Sequence, residues 1–294
     1  MSLQKYEIFA RVVELGSLTR AAESLRLTQS GVSHALSDLE ADLGFSVLVR
    51  SRKGVRLTDE GAAVLPVIRS ILAEQERLNQ VVSSIHGLAL GTVRIGTFTS
   101  VAVHWLPPIL KSFQAQHPNI TFKLQNGDYH DVEQWLESGE VDLGFVALPT
   151  RTRCACTPLM EDKLLAILPL DHPLADLPRF PIAMVKHEPF ISLLESSDHD
   201  TRRALDAEGV RPNIKFVTKD DYAIIAMVEN GLGISIMPAL LLQGRTDRVK
   251  AMELAPQAKR TIALAITDVG NNSPATRLFA DFVVDWVKNR ERNG

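Results

Sequence analysis

Gln29, Ser30, Ser33 and His34 fall within the first two turns of an expected helix, with Thr28 placed to cap it. A glutamine can bond bidentately to an adenine edge, a serine can donate or accept, and the free N–H groups of a helix N-terminus favour a phosphate. A second set is electrostatic: RSRKGVR at 50–56 holds Arg50, Arg52, Lys53 and Arg56 with no acid. Cations so concentrated suit phosphates or a minor groove. A third set is Thr99, Ser100, Tyr129, Ala147, Ser192 and Thr218, each following an expected strand or entering an expected helix. Hydroxyls and backbone N–H groups at such places can converge on a small anion, Ser100 foremost. Plainer readings stay open: a solvated face of a helical bundle for the first set, and simple N-capping for Ser100.

The elements that must position the first two sets are legible from periodicity. Leu3, Tyr6, Phe9 and Val13 recur at helical spacing, and Gly16 follows as a stop. Ser17 can cap a short second helix through Leu18, Ala21, Ala22 and Leu25, whose paired alanines admit a close neighbour. In the third helix Val32, Leu36, Leu39 and Leu43 make one apolar stripe ending at Gly44. Ser30, His34, Ser37 and Asp38 fall roughly opposite, flanked by Gln29 and Ser33. Two short helices joined by a tight turn describe a helix-turn-helix. Gly54 turns the basic run and Val55 and Leu57 read as a returning strand, which makes a hairpin wing. Residues 1–60 carry eight Lys+Arg against eight Asp+Glu, so binding to nucleic acid would depend on that focused patch and on dimerisation.

The run AAESLRLTQSGVSHALSDLEADLGFSVLVRSRKGVRLTDEG resembles the winged helix-turn-helix of LysR-type transcriptional regulators. The resemblance rests on the Ala21-Ala22 pair, Thr28-Gln29-Ser30, Val32-Ser33, Leu39-Glu40, Leu43-Gly44, Arg50, and Leu57-Thr58 with Gly61. Leu48 stands where the family usually has Phe, and His34 and Ala35 stand where Arg, His or Gln are common; the Ala35 departure bears on which operator is read. The resemblance implies promoter DNA as a partner, with Gln29, Ser30, Ser33 and His34 on bases and Arg50, Arg52 and Lys53 on phosphates.

Thr58 can cap a fourth helix, with Asp59 and Glu60 favourably placed for its dipole. Val64, Ile68, Ile71, Gln75, Leu78, Val82 and Ile85 then alternate steps of four and three, a narrow seam suited to a partner helix. Pro66 is expected to kink the first turns, and GLALG at 87–91 to end the helix. In the resembled family this helix joins two DNA-binding heads, and tetramers are common.

From Thr92 onward strands alternate with helices. Strands near 93–96, 120–124 and 141–146 with helices between them give a βαβαβ order and a parallel sheet. A second set starts at Leu164–Leu168 and runs through 181–185, 189–193, a helix at 199–208, a strand at 213–217, a helix at 221–229 and a strand at Ile234–Met237. Ile262–Ile266 rejoins the first sheet, and 275–290 closes as an amphipathic helix. The expected fold is α/β: a winged helix-turn-helix head (1–58), a linker helix (59–90) and a two-lobed, doubly wound effector-binding domain (91–294). Lobe I takes 91–161 and 268–294, lobe II takes 162–267, and crossings fall near 161–163 and 264–268. Gly96-x-x-x-Ser100, Gly139-Glu140-x-Asp142-Leu143, His172-Pro173-Leu174 and Gly231-Leu232-Gly233-Ile234-x-x-x-Pro238 look like this family's effector domain, itself similar to periplasmic solute-binding proteins. Phe98, Val101, Val146, Ile191 and Ile236 make the expected cleft apolar enough for a small organic acid rather than a bare ion.

Composition excludes several classes. The 294 residues are 45% hydrophobic and 23% charged, ordinary for a globular chain, and the net charge of −3 gives no global basic field. No window approaches a membrane span, and the N-terminus lacks a signal peptide's apolar core, so a cytoplasmic protein is expected. Cys154 and Cys156 read as incidental thiols, Asp220-Asp221 as a helix start, and no cofactor or metal is implied. Two rivals stay open: a solute-binding or transport component with a helical adaptor, and an enzyme on the same two-lobed scaffold.

Overall fold

The computed structural model describes all residues except Met1, 52–53, 86–89, 195–198, 268–271 and Gly294. The head contains α1 (Leu3–Leu15), α2 (Leu18–Leu25) and α3 (Gln29–Leu43), then an antiparallel pair, β1 (Leu48–Ser51) and β2 (Gly54–Leu57). The hydroxyls of Ser2, Ser17 and Thr28 accept from the N–H groups of Lys5, Arg20 and Gly31, capping each helix. Each cap is worth about 1 kcal/mol. α1 and α3 stop at Gly16 and Gly44, whose φ of 61° and 82° suit a residue without a side chain. Phe9, Val12, Ala21, Ala22, Val32, Leu36 and Leu39 close the core between the three helices. Glu40 accepts from the N–H groups of Val47 and Leu48 at 2.9 and 3.3 Å, which fastens β1 to α3.

α4 (Asp59–Ile85) starts on Thr58, whose hydroxyl accepts from Gly61 at 2.9 Å, and runs through Pro66 as one helix. The expected seam divides in two. Val64 and Ile68 pack into the head core, whereas Ile71, Leu78 and Val82 remain exposed. Arg69 reaches Glu140 at 2.7 Å and ties α4 to the second half of the chain. Of the GLALG segment, 87–89 lies outside the described residues.

The second half begins with β3 (Gly91–Thr97), α5 (Thr99–His104), α6 (Leu106–Gln116), β4 (Ile120–Asn126), α7 (Tyr129–Glu137) and β5 (Leu143–Leu148). β4 and β5 lie parallel to β3 on either side of it, the expected βαβαβ unit. There follow β6 (Ala155–Leu168), β7 (Phe180–Pro181), a 3₁₀ turn over Ile182–Lys186, β8 (Pro189–Leu193), α8 (His199–Ala207) and β9 (Asn213–Thr218). The chain ends with α9 (Asp221–Glu229), β10 (Ser235–Pro238), α10 (Ala239–Leu242), β11 (Lys250–Ile266) and α11 (Pro274–Asn293).

Two expectations need correction. The lobes do not each own a parallel sheet: one mixed sheet runs β10-β6-β11-β5-β3-β4 with β7 beside β11, and β11 is antiparallel to both β5 and β6. The cause is length. β6 and β11 have 14 and 17 residues, and at about 3.3 Å each such strands pass from one lobe into the other. β8 and β9 form a parallel pair, which a bridge from Phe190 to Ile234 joins to the approach of β10. Register places Glu161, Asp162 and Lys163 opposite Thr261, Arg260 and Lys259, so the second crossing lies there and not at 264–268. Ile262–Ile266 pairs with β5 and belongs to lobe I, which moves lobe II's limit back from 267.

Trp105, Phe113, Phe145 and Phe279 fill the core of lobe I, and Phe180, Phe190 and Ile234 that of lobe II. Gly144 lets α7 lie against the sheet, since a Cβ there would stand 2.8 Å from Val132. That seat fixes Tyr129, the first residue of α7. Among the described residues no helix is long and apolar enough to cross a membrane. Gly144→Ala should lower stability by about 1–3 kcal/mol through overpacking, read as an earlier urea midpoint. An unchanged midpoint would contradict the tight seat of α7.

Candidate functional site

In the head, Gln29, Ser30 and His34 are exposed at the start of α3 and Ser33 is half-buried, while Val32, Leu36 and Leu39 hold the opposite face in the core. Ser37 donates its hydroxyl to the Ser33 carbonyl at 3.0 Å, so it is engaged with its own helix. The N–H of Val55 donates to the Gly16 carbonyl at 3.3 Å and seats the wing on the turn before α2. Arg50 stands in β1 opposite Val55, and Arg56 in β2 is exposed. Arg52 and Lys53 lie outside the described residues.

The second site is a cavity of about 220 Å³ between the lobes. On its wall is Arg260, 3% exposed, carried by β11 where the strands cross. Its Nε and Nη2 both donate to Asp162 Oδ2, at 3.0 and 2.7 Å, from the facing strand β6. Nη2 also donates to the Ser100 hydroxyl at 2.7 Å, and Nη1 to the Tyr129 hydroxyl at 2.5 Å. Tyr129 in turn donates to Asp200 Oδ2 at 2.8 Å, and Arg203 donates to the other Asp200 oxygen at 2.7 Å. Asp162 Oδ1 accepts from the N–H of Leu240 at 2.9 Å. The Phe98 ring lies 5.1 Å from the Arg260 guanidinium carbon and packs edge-on against Tyr129. One chain of hydrogen bonds therefore joins α5 and α7 of lobe I to the crossing strands and to α8 of lobe II.

Electrostatics follow from burial. Loss of water works against the Arg260 charge, but Tyr129, Asp162 and Asp200 outweigh it and hold the guanidinium firmly protonated. Burial pushes the Tyr129 hydroxyl well above its ordinary range, so it serves as a neutral donor and acceptor. Asp221, also on the wall, is raised by burial, while the Thr99 hydroxyl and Arg260 pull it back.

Of the residues expected in the cleft, Thr99, Ser100 and Tyr129 lie on this wall; Ala147, Ser192 and Thr218 do not. Ala147 is buried in β5 opposite Ile262. Ser192 donates to the Leu193 carbonyl and Thr218 accepts from the N–H of Asp220. The wall takes Leu193 and Lys219 instead, each one residue further on. A slip of one residue turns a strand side chain to the other face. Arg260, Asp162, Asp200 and Asp221 were missed. The available signal was a short charged run leading into an apolar one in each of two strands, Glu161-Asp162-Lys163 in MEDKLL and Lys259-Arg260 in KRTIALAI. Cys154 and Cys156 are free, half-buried thiols raised by burial, and among the described residues no cluster could hold a metal.

Comparison with known proteins places these two sites together. The LysR substrate binding domain model matches residues 86–288, and the helix-turn-helix model of bacterial regulators of the lysR family matches residues 3–62. The chain belongs to the LysR family of transcriptional regulators. It is 31% identical to the uncharacterized HTH-type transcriptional regulator YvbU of Bacillus subtilis (strain 168), over 96% of this chain and 97% of that one. Its fold is that of a full-length OxyR variant from Pseudomonas aeruginosa (TM-score 0.77, 20% identity, 98% of this chain and 95% of the other). The effector binding domain of QuiR, solved with shikimate, aligns with 68% of this chain and 98% of its own length (TM-score 0.61, 24% identity).

Breaking one half of the buried pair leaves an uncompensated charge, so Arg260→Met should cost about 3–5 kcal/mol in denaturant unfolding. Adding Asp162→Leu should recover at least half of that loss. A double variant no more stable than Arg260→Met would show that the two side chains are not energetically coupled.

Proposed function

We propose that this protein is a ligand-responsive transcription factor of the cytoplasm that binds promoter DNA through its head and a small organic effector between its lobes. Residues 1–58 act as the DNA-binding unit, 59–90 as the linker and 91–294 as the sensor. Gln29, Ser30, Ser33 and His34 read base edges in the major groove, while Arg50, Arg52 and Lys53 hold phosphates. The observation that carries the reading is the exposed polar start of α3, backed by a helix face wholly committed to the head core. Exposed Ile71, Leu78 and Val82 on α4 support pairing with a second copy, and so two heads on successive half-sites. Tetramers would then form from such dimers.

The effector is a small carboxylate held near Thr99, Ser100 and Tyr129. QuiR's ligand, shikimate, is itself a hydroxylated carboxylate, which supports this class. Bound effector shifts the balance of lobe arrangements only through unequal affinity for them. The protein is a sensor without turnover: its half-buried tyrosine stays protonated and its arginine is tied into the hinge, which equips neither for acid–base work.

Fluorescence anisotropy on duplexes from the gene's own upstream region tests the base-reading role. Arg52→Ala or Lys53→Ala should weaken all duplexes about equally and reduce the salt slope by about one, whereas Gln29→Ala should relax discrimination at one position by about 1–3 kcal/mol. Unchanged sequence preference in the Gln29 variant, or no retention of any duplex by the wild type at modest ionic strength, would contradict the proposal.

A further inference from the structure

We infer that the cleft's ligand is a zwitterion of amino-acid type, its ammonium group taken by Asp221 and its carboxylate by Arg260, Ser100 and Lys219. This rests on the effector reading of the cleft and narrows its chemistry. Among the described residues the wall presents two cations, Arg260 and Lys219, against four carboxylates, Asp128, Asp131, Asp200 and Asp221. Several of these charges are already engaged: Arg260 with Asp162, and Asp200 with Arg203. Asp128 and Asp131 sit at the start of α7, each accepting from the other's backbone N–H.

Asp221 differs from them. It is the first residue of α9 and is half-buried. The Thr99 hydroxyl and the Arg260 guanidinium both favour its charged form, yet among the described residues no cation stands within ion-pair distance of it. Its neighbour Asp220 is the side chain that caps the helix, accepting from Tyr222 and Ala223, so Asp221 is not needed for that task. A half-buried carboxylate facing a cavity, with Arg260 acting on it only from beyond ion-pair distance, favours a ligand that brings a cation closer.

The anionic end has donors. Four of the five N–H hydrogens of Arg260 are directed to Asp162, Ser100 and Tyr129, leaving one on Nη1. Ser100 accepts from Arg260, which leaves its own hydroxyl hydrogen to donate. Lys219 is exposed at the rim. A simple carboxylate would meet these donors but also the surplus of acid, and a simple amine would leave the donors unmatched. The volume of about 220 Å³ exceeds the roughly 150 Å³ that admits benzene, enough for a compact amino acid.

The test is calorimetric titration of the full-length protein with three matched series: the common α-amino acids, the 2-hydroxy acids with the same side chains, and the amines lacking the carboxylate. At least one amino acid should bind tenfold or more tightly than both its hydroxy acid and its amine. Asp221→Asn should abolish that advantage while leaving the hydroxy acid within about twofold, with thermal melts matching wild type. A hydroxy acid or amine that equals its amino acid, or an Asp221→Asn protein that keeps the preference, overturns the zwitterion inference alone. If no member of any series binds, the effector reading of the cleft falls with it.

Discussion

The arrangement of the two lobes depends on a buried guanidinium. Arg260 sits on the strand that joins them, faces Asp162 on the other long strand, β6, and reaches outward to Ser100 and Tyr129. An ion pair this deep contributes little net stability, because the desolvation of both charges offsets most of their attraction. What it contributes is position. With its hydrogen bonds directed at lobe I hydroxyls and a crossing carboxylate, the guanidinium defines one mutual setting of the lobes, and the Tyr129–Asp200 contact extends that setting into lobe II. A ligand that touched the same groups would act on the hinge directly.

From the cleft, a short route leads toward the head. α7 carries Tyr129 at its start, and just beyond its end Glu140 meets Arg69 of α4. The glycine at 144 presses that helix onto the sheet, so a displacement at its first turn is resisted by the sheet rather than absorbed in a loose contact. The head is electrically balanced, so in the proposed reading its affinity for a polyanion would rest on the few cations of the 50–56 run. Weak individual docking would make the spacing of paired heads decisive, and in the proposed dimer the linker helix would set it.

Much of the head was legible in the sequence because local signals agree there: Ser17 and Thr28 as caps, Gly16 and Gly44 as stops, and a clean apolar stripe from Val32 to Leu43. The βαβαβ unit was equally plain. The long antiparallel strands were not, because 155–161 mixes cysteine, threonine, proline and acid in a pattern without clear alternation, and strand partners distant in sequence leave no local trace. The cleft was half visible. Thr99, Ser100 and Tyr129 stand at helix starts that the pattern marks, whereas the cavity wall takes Leu193 and Lys219, the neighbours of Ser192 and Thr218. The hinge pair escaped because its meaning lies in register: Arg260 and Asp162 become one feature only when strands 98 residues apart are laid side by side.

The central claim, that Arg260 holds the lobes in one setting, is tested most directly by the interlobe distance distribution. Spin labels at Ser112→Cys in lobe I and Ala183→Cys in lobe II, both exposed positions, would be placed in a chain with Cys154 and Cys156 replaced by Ser and read by pulsed dipolar resonance. With Arg260 intact the distribution should be narrow and single; with Arg260→Met it should broaden or split while both lobes stay folded. Superimposable distributions for the two proteins would mean that the guanidinium does not set the hinge.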